Sequence, residues 1–331
     1  MWDPDDALSH LLRPLRLRGA YVSDWRLGRG WAVRGEPEPR ALLHHIREGH
    51  AVIRLANGET DTLHPGDLAI FPRGAAHVIA EKDDAVPQQI DRLLPDRTPG
   101  STDVLDLGTE PRTGSMLCAG LDYEAAGEYP LYRTLPDLLI VRADAIEADR
   151  TLPGILACLA IELDEQRSST RAVALRLFEL IYILGLRCAL KSMDQSAPIS
   201  RALAHPAIGR VLIAMYEDFA RDWSITDLAT IAGMSRASFA ATFKKIVGET
   251  PARHLRRHRL ARARDLIETT NLSQESIAKS VGYQSNVGLH LAFRTEFGLT
   301  PGALRRPDNA RLHSRSDSPA AGTSPRSGEP L

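Results

Sequence analysis

A chain of 331 residues is long enough for two domains and a tail, and its 43% apolar content suits packed cores rather than a disordered chain. The formal net charge is only −1, but residues 205–306 hold fifteen Lys and Arg against nine Asp and Glu, a balance of +6, and the 26 basic and 33 acidic residues elsewhere balance at −7. A basic module beside an acidic one is the footprint of nucleic acid on one part of the chain only.

The first residues, Met1 to Asp6, are acidic where a signal peptide is basic and then apolar. The longest greasy run, Ala172 to Leu190, is interrupted by Arg176, Glu179, Gly185 and Arg187, against a membrane span. Cys118, Cys158 and Cys188 are odd in number and widely spaced, as in a reducing compartment without a disulfide framework. These features set the expectation of a cytoplasmic protein with no membrane partner.

Residues 17–142 carry short β-type runs divided by Gly, Pro and Asn-Gly. Leu42–Arg47 and Ala51–Leu55 are two strands, and Asn57-Gly58 closes a tight hairpin. Leu68–Phe71 and His77–Ala80 follow, each entered through a Gly- and Pro-containing turn. Many short strands so punctuated predict a jelly roll or barrel. Residues 81–115, rich in Asp, Pro, Gly and Thr, read as loops, and Cys118 as a buried packing residue on a strand.

At Gly66, Pro72, Gly74 and His77 the chain resembles the cupin fold, whose second motif is a Gly, five residues, Pro-x-Gly, two residues and His. The first motif is degraded. Metal-binding cupins set two histidines one residue apart, so that both point into the barrel, whereas His44 and His77 belong to different strands and His44 and His45 are adjacent. With Leu42 and Ile46 inward, His44 shares their face, and Glu48 does so if the strand continues. Two readings follow. His44 and His77 line a small-molecule pocket or close turn hydrogen bonds, with no metal or other cofactor, or His44, Glu48 and His77 hold a divalent metal. The second would make the barrel a metal-dependent oxygenase or isomerase with an accessory DNA-binding domain.

Leu152–Gln166 and Arg171–Lys191 read as helices, with Ser168-Ser169-Thr170 supplying turn and N-cap chemistry. They cover the barrel, or also form a homodimer interface through residues 151–191. Residues 193–204 read as a linker and 307–331 as a disordered tail.

The stretch from Trp223 to Arg306 is written twice at an offset of about fifty residues: Phe243 falls on Phe293, Gly248 on Gly298 and Pro251 on Pro301. Each copy reads as a helix-turn-helix. Ala229 permits a close crossing, Gly233 turns, Ser235 caps, and Phe239, Phe243 and Ile246 recur on the buried side of the second helix. The helix from Pro251 to Glu268 joins the copies and carries Arg253, Arg256, Arg257, Arg259, Arg262 and Arg264, some for phosphates and others only solvated.

Here the chain resembles the AraC/XylS family of bacterial transcription regulators. The matching residues are Gly-Met-Ser-Arg (233–236), Phe-Lys-Lys (243–245) and Gly-x-Thr-Pro (248–251), then Ile-Ala-x-x-Val-Gly-Tyr-x-Ser (277–285), Phe-Arg (293–294) and Phe-Gly-x-Thr-Pro (297–301). The resemblance implies two recognition helices in successive major-groove segments, and promoter DNA, RNA polymerase and an unknown small-molecule effector as partners. Activation and repression both stay open. Arg236, Ala237, Ser238, Ala240, Ala241 and Lys244 in the first helix, and Asn286, Val287, His290, Leu291 and Arg294 in the second, are the candidate DNA-facing positions. Arg236 suits guanine and Asn286 adenine. The family often has a long polar side chain where this chain has Ala241 and Leu291. The expected fold is an α+β multidomain protein: a cupin-like sensory domain over 1–150, connecting helices over 151–192 and an all-α tandem helix-turn-helix domain over 205–306.

Overall fold

The computed structural model describes residues 17–123, 132–165, 169–193, 201–202 and 205–304. The expected tail lies outside them, as does most of the expected linker.

The N-terminal strands are β1 (Leu17–Arg29), β2 (Ala32–Gly35), β3 (Ala41–Glu48), β4 (Ala51–Leu55), β5 (Thr60–Leu63), β6 (Leu68–Phe71), β7 (His77–Ala80), β8 (Gln88–Gln89), β9 (Thr102–Leu107), β10 (Thr109–Tyr123) and β11 (Leu139–Val141). They form two sheets, ordered β11-β6-β3-β10-β1-β9 and β5-β4-β7-β2-β8. Asn57-Gly58 closes the β4–β5 hairpin as expected, with Gly58 at φ +89 and Ala51 paired to Leu63. One expectation fails. Residues 102–115 are strand, not loop, because Leu105 and Leu107 alternate with exposed Asp106 and bury against the barrel core. Turns, the two-residue strand β8 and the short helix α1 (Ile90–Leu93) occupy the rest of that stretch.

The larger sheet is buried on both faces. On β3, β6 and β10, Leu43, Ile70 and Ala119 point outward to a cluster shared with helices, while Leu42, Phe71 and Cys118 point into the barrel. The covering helices are α2 (Ala143–Ala148), α3 (Leu152–Glu165) and α4 (Thr170–Ser192). Phe178, Ile181 and Tyr182 seat α4 on the sheet. A Cβ at Gly185 would stand 2.8 Å from Ile70 Cδ1, so the glycine that interrupts the greasy run lets helix and sheet touch. Ser169 does not cap α4 with its side chain. It sits at φ +74, in the left-handed region, without a capping hydrogen bond. Among the described residues no helix is long and apolar enough to cross a membrane.

The C-terminal half is helical throughout: α5 (Pro206–Glu217), α6 (Ile225–Ala232), α7 (Arg236–Val247), α8 (Pro251–Thr269), α9 (Gln274–Ser280) and α10 (Asn286–Phe297). The repeat in the sequence is a repeat in packing. Leu228, Ala229, Phe239 and Phe243 form one core, and Ile277, Ala278, Leu289 and Phe293 the other. Helix α8 serves both: Leu255, near its start, joins the first core, and Leu260, Ala263 and Ile267 join the second.

Candidate functional site

Inside the barrel, strand register brings together groups far apart in sequence. His44 on β3 lies opposite Cys118 on β10. The Cys118 Sγ is 3.0 Å from His44 Nδ1, and His44 Nε2 is 3.1 Å from His77 Nε2. His77 Nδ1 lies 2.8 Å from the Ala75 carbonyl oxygen. A carbonyl only accepts, so His77 carries its proton on Nδ1 and its Nε2 is a lone pair. His44 must then donate from Nε2 and accept at Nδ1, which takes the Cys118 S–H. The result is a one-way chain of neutral donors running from Cys118 to Ala75.

Burial keeps the chain neutral. It lowers the His44 pKa far below the ordinary imidazole value, with the nearby His77 adding to the effect, and lowers His77 to about 4. It also pushes the Cys118 thiol well up. Phe71 stacks on His77 at 3.9 Å between ring centroids, and Trp25 closes on His44. The cavity these side chains leave is about 30 Å³, room for about one water. A cleft of about 280 Å³ shares Gly35 and His77 with that cavity and has Arg34 and Arg54 among its lining residues.

One sequence expectation holds here and one changes. Cys118 is a buried strand residue as read, but its basic neighbour is His44 across the sheet, which no residue beside it in sequence announces. Glu48 does not join the histidines. A bulge between the Ser115–Glu48 and Met116–Ile46 pairs breaks the alternation, and Glu48 is exposed. The His44/Glu48/His77 donor set is therefore not assembled, and both imidazoles already use their nitrogens on each other, Cys118 and Ala75. Among the described residues no group of three or more His, Cys, Asp or Glu side chains is placed to hold a metal ion. The residues do not fit the metal that the cupin fold implies.

In the C-terminal half each copy builds the same device. Ser224 and Asp227 form a reciprocal capping box at the start of α6. Gly233 ends α6 at φ +67, and Ser235 Oγ accepts from the Ser238 N–H at 3.2 Å to start α7. In the second copy Ser285 Oγ accepts from Gly288 N–H at 3.1 Å to start α10. Gly288 thus stands in the first turn of its helix, not in its interior, and a Cβ there meets Ser285 Oγ at 3.5 Å, an ordinary contact.

Arg236, Ala237, Ser238, Ala241 and Lys244 are exposed on α7, and Val287, Leu291 and Arg294 on α10. Ala240, Asn286 and His290, expected to be exposed, are half-buried. The Oδ1 of Asn286 is enclosed without a hydrogen-bond partner.

The arginines of α8 divide in a way the sequence could not settle. Arg259 donates to the carbonyls of Phe219, Arg221 and Gly282 at 2.6, 2.7 and 3.2 Å, tying the segment after α5 to the turn of the second copy. Arg257 pairs with Glu249 at 3.2 Å and with Glu296 of α10 at 2.9 Å. Arg262 pairs with Asp265, and Arg264 with Glu268. Arg253 and Arg256 stay exposed. The Arg257 and Arg259 ties join the two copies, whereas the Arg262 and Arg264 pairs lie within α8.

A model of the cupin family, described as "Cupin", matches residues 6–191, and a model described as "Helix-turn-helix domain" matches residues 228–307. Over 91% of its length the chain is 27% identical to the HTH-type transcriptional regulator AlkR of Acinetobacter baylyi, covering 99% of that protein. It is also 27% identical to the RCS-specific HTH-type transcriptional activator RclR of Escherichia coli, over 91% of this chain and 97% of that one. To the HTH-type transcriptional regulator MtrA of Neisseria gonorrhoeae it is 26% identical, over 91% and 98%.

Proposed function

The chain belongs to the cupin family and, through its tandem helix-turn-helix domain, to the AraC-like transcription regulators, and from that premise we propose how its parts divide the work of a DNA-binding regulator. Residues 205–306 bind promoter DNA through α7 and α10. Arg236, Ala237, Ser238, Ala241 and Lys244 form the first reading face, and Val287, Arg294 and the half-buried Asn286 and His290 the second. Residues 1–150 sense a small-molecule effector. An effector larger than a water has to open the cavity behind His44 and His77, and the cleft outside His77 is the route to it. Residues 151–191 pair two copies, a reading supported by the exposed apolar side chains Ile161 and Leu180 on α3 and α4. The bound dimer acts on RNA polymerase, in the cytoplasm.

The observation that carries this reading is the twofold use of one capped helix-turn-helix around the shared helix α8. Base-edge readers need to be held rigidly against two groove segments at once, and the Arg257 and Arg259 ties do that. Barrel chemistry is the weaker alternative, because the metal donor set is not assembled.

The test is DNA binding by the full-length chain to the region upstream of its own gene, followed across salt concentrations. Binding falls steeply with salt, because Lys and Arg displace counterions from phosphates. Affinity that stays flat from low to high salt refutes the assignment.

A further inference from the structure

The two reading helices share a pattern. Ala237, Ala241 and Lys244 on α7 occupy the places of Val287, Leu291 and Arg294 on α10, at the fifty-residue offset of the repeat. Each is an apolar pair four residues apart with a cation three residues on. At about 100° per residue, positions 287, 291 and 294 share one face of α10, within about 60° of each other. Leu289 and Phe293, on the opposite face, are fully buried.

Val287 is 68% and Leu291 62% exposed, the two most exposed large apolar side chains among the described residues of the domain, ahead of Leu272 at 43% and Ile225 at 40%. Neither position offers an amide or guanidinium to a base edge. Two of the polar groups near them are withdrawn: His290 is half-buried, and the Asn286 carbonyl oxygen is enclosed. What an exposed apolar pair beside a cation fits is an apolar group on the floor of an anionic groove. In the major groove that group is the C5 methyl of thymine.

We propose that the second recognition helix reads thymine methyls through Val287 and Leu291, with Arg294 on the adjoining phosphate. The first helix does the same in reduced form through Ala237 and Ala241, and Arg236 adds polar readout there. This inference rests on the assignment of α7 and α10 as DNA-reading helices. A protein partner fits the patch less well. Two side chains flanked by His290, Arg294 and Thr295 fall far short of the roughly 800 Å² that a stable protein interface covers on each partner.

The test uses full-length protein and a bipartite duplex selected from random sequences. Each thymine of the second half-site is replaced in turn by uracil, which removes the methyl and leaves every hydrogen-bonding group. One or two replacements weaken binding by about fourfold each, the worth of one buried methyl-sized group. In Val287→Ser and Leu291→Ser, both at exposed positions, the same replacement changes affinity less than about 1.5-fold, as expected once the apolar contact with the thymine methyl is gone. Helix content by circular dichroism checks that the variants are folded. Binding that is indifferent to uracil at every position overturns the inference, and so does methyl sensitivity that survives both substitutions. Variants that keep full, methyl-sensitive binding but lose transcription with purified RNA polymerase would make the pair a protein-docking patch and overturn it too. A chain that binds no duplex at any salt concentration instead refutes the DNA-binding assignment beneath it.

Discussion

Replacing His77 by Asn should remove most of one proton's worth of acid sensitivity from the barrel. In the unfolded chain a histidine titrates near 6.5, whereas burial lowers His77 to about 4 in the fold. Between those values the unfolded chain holds a proton that the folded chain does not. The stability His77 contributes as a buried neutral group is therefore complete above about pH 6.5 and is lost as pH falls toward about 4. At pH 5 the loss works out at about 2 kcal/mol. Asn keeps a donor for the Ala75 carbonyl and does not titrate. His44 acts in the same direction, and so do His254 and His258 on the buried face of α8, where burial lowers both. The quantity to measure is therefore a difference. Urea unfolding of wild-type and His77→Asn chains, followed by the fluorescence of Trp25 and Trp31 in the barrel, is compared at pH 7.5 and pH 5. The stability gap between the two should shrink by about 2 kcal/mol on acidification. A gap that stays constant across that range means that His77 takes up its proton in the fold as readily as in the unfolded chain, and a gap that widens means that the fold favours the protonated ring; either way the one-way neutral chain is wrong.

Arg257→Ala should leave Glu296 without its ion-pair partner and Glu249 with only His254 and Arg253, cost about 1–3 kcal/mol of stability in urea, and weaken binding to a bipartite site more than binding to either half alone. Arg236→Ala should cost about 1–3 kcal/mol in DNA affinity and relax preference at one base pair, read from selected sites. Asn286→Ala and His290→Ala should each cost less, and a larger loss from Asn286→Ala refutes the assignment of polar readout to the first helix. Gly288→Ala should leave DNA affinity equal or tighter, because its first-turn position has room for a methyl; measured loss of affinity would place the DNA backbone against that glycine.

The C-terminal architecture was legible in the sequence because a helix-turn-helix is local. Ser235, Gly233, Ala229 and Phe239 lie within one stretch, each acts on neighbours a few residues away, and the second copy at Ser285, Ala278 and Leu289 repeats the test. The strand face of His44 was legible for the same reason, since alternation over Leu42, His44 and Ile46 needs no partner. The turn glycines 58 and 66 announced hairpins and strand starts, and both stand at positive φ. What failed in sequence were features fixed by a partner strand. The bulge opposite Ser115 turned Glu48 away from the histidines, and Leu105 and Leu107 became strand because β1 and the barrel core were there to receive them. The fates of the α8 arginines were likewise tertiary. Arg257 and Arg259 are bound within the protein because Glu296 and the Gly282 carbonyl come back to α8 from residues much later in the chain. Sequence determined which elements form and which faces are apolar, since those follow from residue type and spacing along one segment. Tertiary structure alone decided that Cys118 meets His44 and that Asn286 and His290 are half-buried, since a contact between segments depends on the register and packing that join them.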